Sequence, residues 1–386
     1  VVLQAVRIGE LMIAALPNEV YGITGLKLKA LSPLEATFNI ELANGAEGYI
    51  PPPEQHALGG YTTWPARTAG LEVEAEPKIV ATLLELFEEV SGKPALPRIS
   101  IPGPYGKTVL TQGPVAFWRC NDMSGPHAGG STTDGPPARF EPGVAFFLPG
   151  AQREGGAIST PPEVPSPFSG DRANRAVHFA GGRLVSKLSQ PQRDYSVSFW
   201  FWNSFPKGVR PVTGYLFSRG EDGDRRALGE HLGIGGTVSD TRDGCLFFYS
   251  GNDVGEVVTG VTPLAFRDWH HVLVVRTGES LRVYLDGELE IEAEVAWTIP
   301  ETVSSFFFGG RCDNFANFEG KIDEIAVFAK PLTEAQVAAQ FAAAERTPPT
   351  PPKPKTESEP LDPDRALETL RVPDGYTIDL VAAEPL

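Results

Sequence analysis

The feature that most constrains the fold is a series of short apolar segments between Trp269 and Phe328. Residues 281–285 (LRVYL) alternate apolar side chains with others, as expected of a strand that buries one face. Asp286-Gly287 follows at once, and this pair readily takes the positive φ angles that a two-residue hairpin turn needs. The region therefore predicts antiparallel strands that are joined by tight turns.

Comparable strand-like segments recur through the middle of the chain. They lie at residues 115–119, 176–180, 196–202, 244–249, 269–275, 304–308 and 322–328. Glycine and proline make up about a fifth of the 386 residues, against about 12% in an average protein, so turns are abundant. This spacing predicts a mainly β fold, with an antiparallel β-sandwich over residues 115–345.

Residues 1–92 have a different pattern, in which strands and helices are mixed. Strand-like stretches cover residues 1–8, 10–16 and 37–42, and residues 19–31 are predicted to be helical. A clear amphipathic helix opens at Pro77 and stops at Gly92, and its apolar side chains are Val80, Leu83, Leu84 and Phe87. This smaller N-terminal segment is therefore predicted to be α/β.

Proline-rich stretches flank the predicted sandwich. Residues 93–114 contain five prolines, too many for a helix or a central strand, and are predicted to be a connector. The sequence TEAQ at 333–336 is a capping-box pattern, which predicts a helix that closes the sandwich. Residues 346–363 predict an extended linker, and residues 364–386 predict the start of a further, incomplete domain with a strand at 376–381.

The order of motifs in the sandwich resembles a known family. WHHV at 269–272 is followed by the hairpin, by FFFGG at 306–310 and by GKIDEIAVF at 320–328. Together these resemble the laminin-G-like, concanavalin A-type jelly-roll domains. The resemblance implies a module that binds glycans or protein partners and rarely catalyses.

The N-terminal segment resembles the late part of the catalytic domain of neutral, non-lysosomal ceramidases. The similarity lies in IGELMIAALPNE at 8–19, in LANGAEGYIP at 42–51 and in Tyr61. It implies that Glu19 and Tyr49 are zinc ligands, that Tyr61 lies in the substrate pocket, and that two histidines upstream complete the site. The residue types alone also allow Glu19 to be a helix-start carboxylate and Tyr49 a core aromatic.

The last residues of the chain, RVPDGYTIDLVAAEPL at 371–386, resemble the opening of bacterial membrane-bound dehydrogenase-like propeller domains. The three resemblances together imply a fragment of a multidomain protein that works in the periplasm or outside the cell. The fragment alone is expected to be inactive, and its parent to be a zinc-dependent amidohydrolase.

The predicted sandwich offers two further groups of candidate site residues. Trp200 and Trp202 share one face of a strand, where they either stack on a sugar ring or pack in the core. Asp313, Asn314 and Asp323 are either oxygen ligands for calcium or turn and capping residues. The neighbouring histidines at 270 and 271 should point to opposite faces of their strand, so they cannot chelate one ion.

Charge and hydropathy argue against nucleic acid binding and against a transmembrane helix in this chain. The formal net charge of −16 would repel a phosphate backbone, so no nucleic acid partner is expected. No apolar run approaches the roughly 20 residues of a transmembrane helix. The favoured function is a binding module for glycans or protein partners; the alternative is part of a ceramidase-like amide hydrolase in which the sandwich is an accessory domain.

Overall fold

The computed structural model describes residues 2–46, 48–65, 69–97, 101–154, 165–170, 172–188, 193–238, 240–251, 255–297, 299–300, 303–349, 375 and 377. The chain divides into two compact units, residues 1–349 and residues 350–386. In the second unit only Gly375, at φ 90°, and Thr377 are described. The linker prediction beyond residue 349, the predicted strand at 376–381 and the predicted further domain therefore lie outside the described residues.

The first 92 residues form the N-terminal α/β segment. Its elements, in chain order, are β1 (Gln4–Ile8), β2 (Leu11–Ala15), β3 (Glu19–Val20), α1 (Gly22–Leu31), β4 (Ala36–Ile40), β5 (Tyr49–Ile50), α2 (Pro53–Leu58), a short 3-10 helix (Tyr61–Thr63) and α3 (Ala75–Ser91). The predicted helix at 19–31 starts three residues late, because its first two residues pair as β3 instead. The amphipathic helix is confirmed as α3, which ends at Gly92 with φ 69°.

A three-stranded sheet, in the order β1-β2-β4, forms the base of this segment. One face packs under α1 and α3 through Met12, Leu28, Leu83 and Phe87, all fully buried. On the other face, a cross-strand row is apolar and partly open to solvent: Val6 pairs with Ile13, which pairs with Phe38. In the described part of the chain, one face of this sheet is thus covered by helices and the other is apolar and partly exposed.

The prediction that no helix forms between residues 93 and 114 is wrong. Residues Pro104–Thr111 form helix α4. Pro104 occupies one of the first helical positions, where its fixed φ is suitable and its missing N–H would have no helical partner anyway. The connector therefore contributes a packed element, and Tyr105 and Val109 of α4 are fully buried.

The remaining elements build the sandwich. In chain order they are β6 (Ala116–Trp118), β7 (His127–Ala128), β8 (Ala138–Phe140), β9 (Val144–Pro149), β10 (Arg175–Ala180), β11 (Leu184–Lys187), β12 (Tyr195–Asn203), β13 (Val212–Gly220), β14 (Gly229–Gly235), β15 (Leu246–Gly251), β16 (Glu256–Thr259), β17 (Trp269–Thr277), β18 (Ser280–Leu285), β19 (Glu288–Glu294), β20 (Ser305–Phe308), β21 (Glu319–Phe328) and α5 (Glu334–Ala343).

These strands form two antiparallel sheets. Sheet I has the order β19-β18-β17-β12-β21-β10-β9, with β6 paired to β21, and sheet II has the order β16-β15-β14-β13-β20-β11-β8-β7. Alternate side chains of both sheets meet in a buried core that includes Phe199, Phe201, Phe217 and Phe308. The predicted mainly β, antiparallel sandwich of the jelly-roll type is confirmed.

The turn and cap predictions within the sandwich are also confirmed. Asp286 and Gly287 connect β18 to β19 with φ values of 51° and 86°. The Thr333 hydroxyl accepts a hydrogen bond from the Gln336 amide, and the Gln336 side chain accepts one from the Thr333 amide. These local signals fix where a hairpin reverses and where α5 begins.

Helices α4 and α5 cover the outer face of sheet I. They lie against a second buried cluster that includes Trp200, Leu273 and Phe328. Two glutamines join the helices: the Gln340 side-chain amide donates to Gln112 Oε1 at 2.7 Å, and Gln112 donates to the Gln336 carbonyl at 3.0 Å. We call this pair of contacts the helix clasp. It joins the helix that precedes the first strand of the sandwich to the helix that follows the last strand.

Candidate functional site

Two short parallel strands bring the predicted zinc ligands together. Asn18, at φ 62°, turns the chain after β2, and the Glu19 amide donates to the Gly48 carbonyl at 3.0 Å. In the pairing of β3 with β5, Glu19 lies directly opposite Tyr49. Because the strands are parallel, two residues thirty positions apart in the sequence present their side chains side by side.

The aromatic partner expected in the substrate pocket joins them. The rings of Tyr49 and Tyr61 meet edge to face, with centroids 5.5 Å apart. Tyr61 is 59% exposed and lies in the short 3-10 helix. That helix is tied to the start of α1 because the Tyr21 hydroxyl lies 2.6 Å from Thr62 Oγ1. Glu19, Tyr49 and Tyr61 thus form one surface cluster.

The electrostatics of this cluster keep the central phenol protonated. Hydrogen bonding to Tyr61, partial desolvation and the nearby Glu19 carboxylate raise the pKa of Tyr49 to about 12. At neutral pH the Tyr49 hydroxyl is therefore a hydrogen-bond donor.

The cluster supplies two of the oxygen donors that a zinc site would use. A catalytic zinc site commonly takes three protein ligands and leaves a further position open. Among the residues that the structure describes, no three His, Cys, Asp or Glu side chains lie close enough to hold one metal ion. Glu19 and Tyr49 therefore fit as part of such a site and do not complete one.

Of the two alternatives for the tryptophans of β12, packing in the core is correct for Trp200, and contact with a sugar ring is wrong for it. This side chain is fully buried beneath the two covering helices, where its ring stacks 5.9 Å from Phe341. Trp202, two residues further on, is half-buried and lies under the Lys321 ammonium, 4.6 Å from the ring centroid. The covering layer of α4 and α5, which the strand pattern does not reveal, removes Trp200 from any ligand.

The predicted calcium ligands do not form one site. Both carboxylate oxygens of Asp313 pair with Arg311, each at 2.8 Å, and despite partial burial these contacts hold the pKa of Asp313 below its usual value. Asp323 is fully buried, and one of its oxygens accepts from Asn174 at 2.5 Å and from the Ala151 amide at 3.2 Å. Burial and the adjacent Glu324 raise the pKa of Asp323 well above its usual value.

Asn314, by contrast, lies on the wall of a cleft at one end of the sandwich. We call it the loop-end cleft; its volume is about 460 Å³, and its lining residues are Ala180, Gly181, Arg210, Asn314, Asn317 and Glu319. Asn317 donates to Asn314 Oδ1 at 3.1 Å and to the Gly181 carbonyl at 2.8 Å, while Arg210 pairs with Glu319 at 3.4 Å.

The loop that carries Asn314 and Asn317 also carries an exposed aromatic side chain, which is not one of the residues that line the cleft. Phe315 directly follows Asn314, is 51% exposed and lies under the Arg311 guanidinium, 4.5 Å from the ring centroid. Sequence reasoning singled out Asn314 alone. The signal for the rest was the polar and aromatic loop NFAN at 314–317 that follows the FFFGG motif.

The two neighbouring histidines lie on opposite faces of β17, as predicted. His270 stacks on Phe201 and its Nδ1 bonds to Asp286 Oδ2 at 2.7 Å. His271 lies on the other face, against Trp200, and burial lowers its pKa to about 4. Both are packed structural side chains, so they form no chelating pair.

A buried polar network that the sequence pattern did not reveal links the two sheets. Arg276 Nε of β17 donates to Glu230 Oε1 of β14 at 2.6 Å, and the Tyr195 hydroxyl donates to Glu230 Oε2 at 2.6 Å. The Arg219 guanidinium lies 4.9 Å from the centre of the Tyr195 ring. All four side chains are at most 1% exposed, so we assign them to stability and not to ligand binding.

Comparison with known proteins bears on the sandwich. Among curated protein sequences, none matches the chain. Similar solved structures include domain 4 of an extracellular arabinanase from Geobacillus stearothermophilus in complex with arabinotriose, with 18% identity, coverage of 59% of this chain and 98% of that one, and a TM-score of 0.40. The botulinum neurotoxin serotype G binding domain matches at 9% identity, with 60% and 51% coverage and a TM-score of 0.41.

The chain thus covers about half the length of the toxin domain and nearly all of the arabinanase domain. None of the helices in the described ranges has the length and apolar character needed to span a bilayer. Residues 178–338 match the family described as the Concanavalin A-like lectin/glucanases superfamily, which confirms the resemblance for that part of the sandwich.

Proposed function

We propose that the sandwich is a glycan-binding module and that the loop-end cleft is its site. The observation that carries the proposal is the combination of polar side chains in this cleft with an exposed aromatic ring on the loop that forms part of its wall. Asn314, Asn317, Arg210 and Glu319 offer amide, guanidinium and carboxylate groups, which match the donors and acceptors of sugar hydroxyls. Phe315 adds a flat apolar surface of the kind that packs against the face of a sugar ring.

The cleft also has the size and rigidity that such a site requires. Its volume of about 460 Å³ is within the range of small-molecule sites, and it opens where loops from both sheets meet. The hydrogen bonds of Asn317 and the pair between Arg210 and Glu319 hold these side chains in place before a ligand arrives. Preorganised polar groups lose less conformational entropy on binding.

A glycan array with the 386-residue protein, followed by calorimetry on the best ligand, tests this proposal. Phe315→Ala and Asn317→Ala should each weaken binding by about tenfold or more. Phe38→Ala is the matched control, since it removes a 40% exposed phenylalanine from the N-terminal segment. Ligand binding that Phe315→Ala and Asn317→Ala both leave intact, or binding to proteins alone, would contradict the proposal.

We also propose the second function, that the N-terminal segment contributes Glu19 and Tyr49 to a zinc site of an amide hydrolase. It is favoured by the pairing of β3 with β5, which brings both residues and Tyr61 into one cluster. Zinc would supply Lewis acidity and an activated water. The remaining ligands would come from polypeptide outside residues 1–386.

Metal analysis of the protein expressed with its natural flanking sequence tests this second function. Glu19→Gln and Tyr49→Phe should lower the zinc content after dialysis. Tyr21→Phe is the control, because this hydroxyl bonds to Thr62. Equal zinc in all three variants would contradict the assignment.

In this proposal, residues 1–92, 115–345 and 364–386 belong to separate domains of a protein that works in the periplasm or outside the cell.

A further inference from the structure

A second cleft lies where the N-terminal segment meets the sandwich. We call it the junction cleft. Its walls come from α1 and the loop after it, from residues following α3, and from β9 and the start of β10; they include Lys29, Leu34, Leu96, Phe147, Arg172 and Arg175. Its volume is about 170 Å³. An apolar cavity of ~150 Å³ holds benzene, so this one suits a single six-membered ring.

Cationic side chains gather here although the protein as a whole carries a net charge of −16. Lys29, Arg172 and Arg175 line the cleft, against the single carboxylate of Glu35. Within the described part of the chain, neither Lys29 nor Arg175 has an ion-pair partner within 4.0 Å. The lining therefore carries an excess of positive charge.

Arg175 places part of this positive charge next to an aromatic ring. Its guanidinium lies over the Phe147 ring, with Cζ 4.7 Å from the ring centroid, and burial lowers its pKa. Arg175 is half-buried, and partial loss of water from a guanidinium without an anion has a cost that a carboxylate would relieve through a bidentate pair.

The backbone at the floor of the cleft is also unusual. Phe147 lies within β9 but has φ 60°, a left-handed conformation that bulky residues rarely adopt. Such backbone strain costs on the order of 1–3 kcal/mol, persists only where the surrounding structure holds the residue in place, and is concentrated at active sites and ligand-binding sites. Here it holds an aromatic ring beneath a guanidinium in a cavity of ring size. Arg172, also in the lining, donates to the Pro97 carbonyl at 2.7 Å.

We propose that the junction cleft binds a small organic anion, a carboxylate on a six-membered apolar ring. The ring packs on Phe147, Leu34 and Leu96, and the carboxylate pairs with Arg175 and Lys29. This site is separate from the loop-end cleft, so its occupancy does not depend on glycan binding by the sandwich. A bound ligand would join the N-terminal segment to the sandwich, because its contacts come from both.

Calorimetry with the 386-residue protein tests the proposal, with benzoate as the probe and benzamide as its neutral isostere. We expect saturable benzoate binding, and benzamide binding weaker by about tenfold or more. Lys29→Gln and Arg175→Gln should each weaken benzoate by a similar factor. Lys107→Gln removes an exposed lysine of α4 that does not line the cleft, and should leave the affinity unchanged.

Three outcomes would overturn the proposal: no saturable binding of benzoate, equal affinity for benzamide, or inorganic phosphate that competes as well as benzoate does. The last would mean a simple phosphate site that does not use the ring pocket. Because Lys29 is exposed, its variant should fold even if the Arg175 variant does not, and a Lys29→Gln protein with full benzoate affinity would equally refute the assignment.

Discussion

The buried pair between Glu230 and Arg276 gives a sharp test of how the two sheets are held together. The perturbation is Glu230→Gln, which removes one negative charge with little change of shape. In the folded protein this carboxylate accepts from Arg276 at 2.6 Å and from Tyr195 at 2.6 Å, and all three side chains are fully buried. Loss of the charge leaves the guanidinium uncompensated in the core.

The expected cost follows from the burial. Breaking a fully buried ion pair by removal of one partner costs about 3–5 kcal/mol, because the remaining charge has lost its hydration and its counter-ion. The Arg276 guanidinium keeps its bonds to the Glu279 and Val295 carbonyls, so we expect the lower end, about 3 kcal/mol. With an m-value of about 3 kcal/mol/M in urea, the unfolding midpoint should fall by about 1 M.

Urea unfolding followed by tryptophan fluorescence measures the loss, and the chain offers a matched control. Arg282 and Glu292 form the same type of pair at 2.9 Å, but their side chains are 43% and 56% exposed. Glu292→Gln should change stability by less than about 1 kcal/mol. If Glu230→Gln costs no more than Glu292→Gln, the buried pair does not hold the sheets together and the reasoning fails.

The other predictions concern stability and its pH dependence. Trp200→Ala should cost about 3–5 kcal/mol and leave glycan affinity unchanged; a specific loss of affinity would restore the ligand-binding assignment. Thr333→Ala should cost about 1 kcal/mol through loss of the capping box, whereas no change in the urea midpoint would mean that α5 needs no cap. Burial of neutral His271 contributes stability that is fully present above pH 6.5 and is lost as the pH falls toward about 4, since only the unfolded chain takes up the proton. His271→Gln should therefore reduce the stability lost between pH 7 and pH 5 by about 2 kcal/mol, and an unchanged pH profile would exclude this burial effect.

Local signals in the sequence predicted much of the sandwich. The turn at Asp286-Gly287 fixes one hairpin because a tight two-residue turn needs positive φ angles, which aspartate and glycine adopt readily. The capping box at Thr333 fixes the start of α5 for a similar local reason. In both cases the physical cause lies within a few residues, so a short window of sequence contains it.

The strands β13 and β14 were not predicted, because their cause is not local. β14 contains three glycines together with Glu230 and His231, a composition that does not favour a strand. Both polar side chains are buried because partners on other strands satisfy them, such as the Ser218 hydroxyl, which lies 2.8 Å from His231 Nδ1. Partners so distant in the sequence are visible only in the folded chain.

The same limit applies to the candidate sites. Glu19 and Tyr49 were singled out through a resemblance, and only the parallel pairing of β3 with β5 shows that they are neighbours. The sequence left open whether Trp200 contacts a ligand or packs in the core, because strand periodicity gives its face but not what covers that face. The junction cleft could not be predicted at all, since its walls come from segments more than a hundred residues apart.

The helix clasp has a consequence for how the sandwich bears mechanical load. The first and last strands of the sandwich, β6 and β21, are hydrogen-bonded neighbours, and α4 and α5 meet just outside them. A force that pulls on the two flanking chains would first load the contacts nearest the pulled ends, where the Gly103 amide donates to the Phe168 carbonyl and Arg346 donates to Asp268. It would then act on the glutamine contacts and peel the helices from sheet I before it strained the sheets themselves. In this order the sandwich would stay folded while the helices that flank it separate.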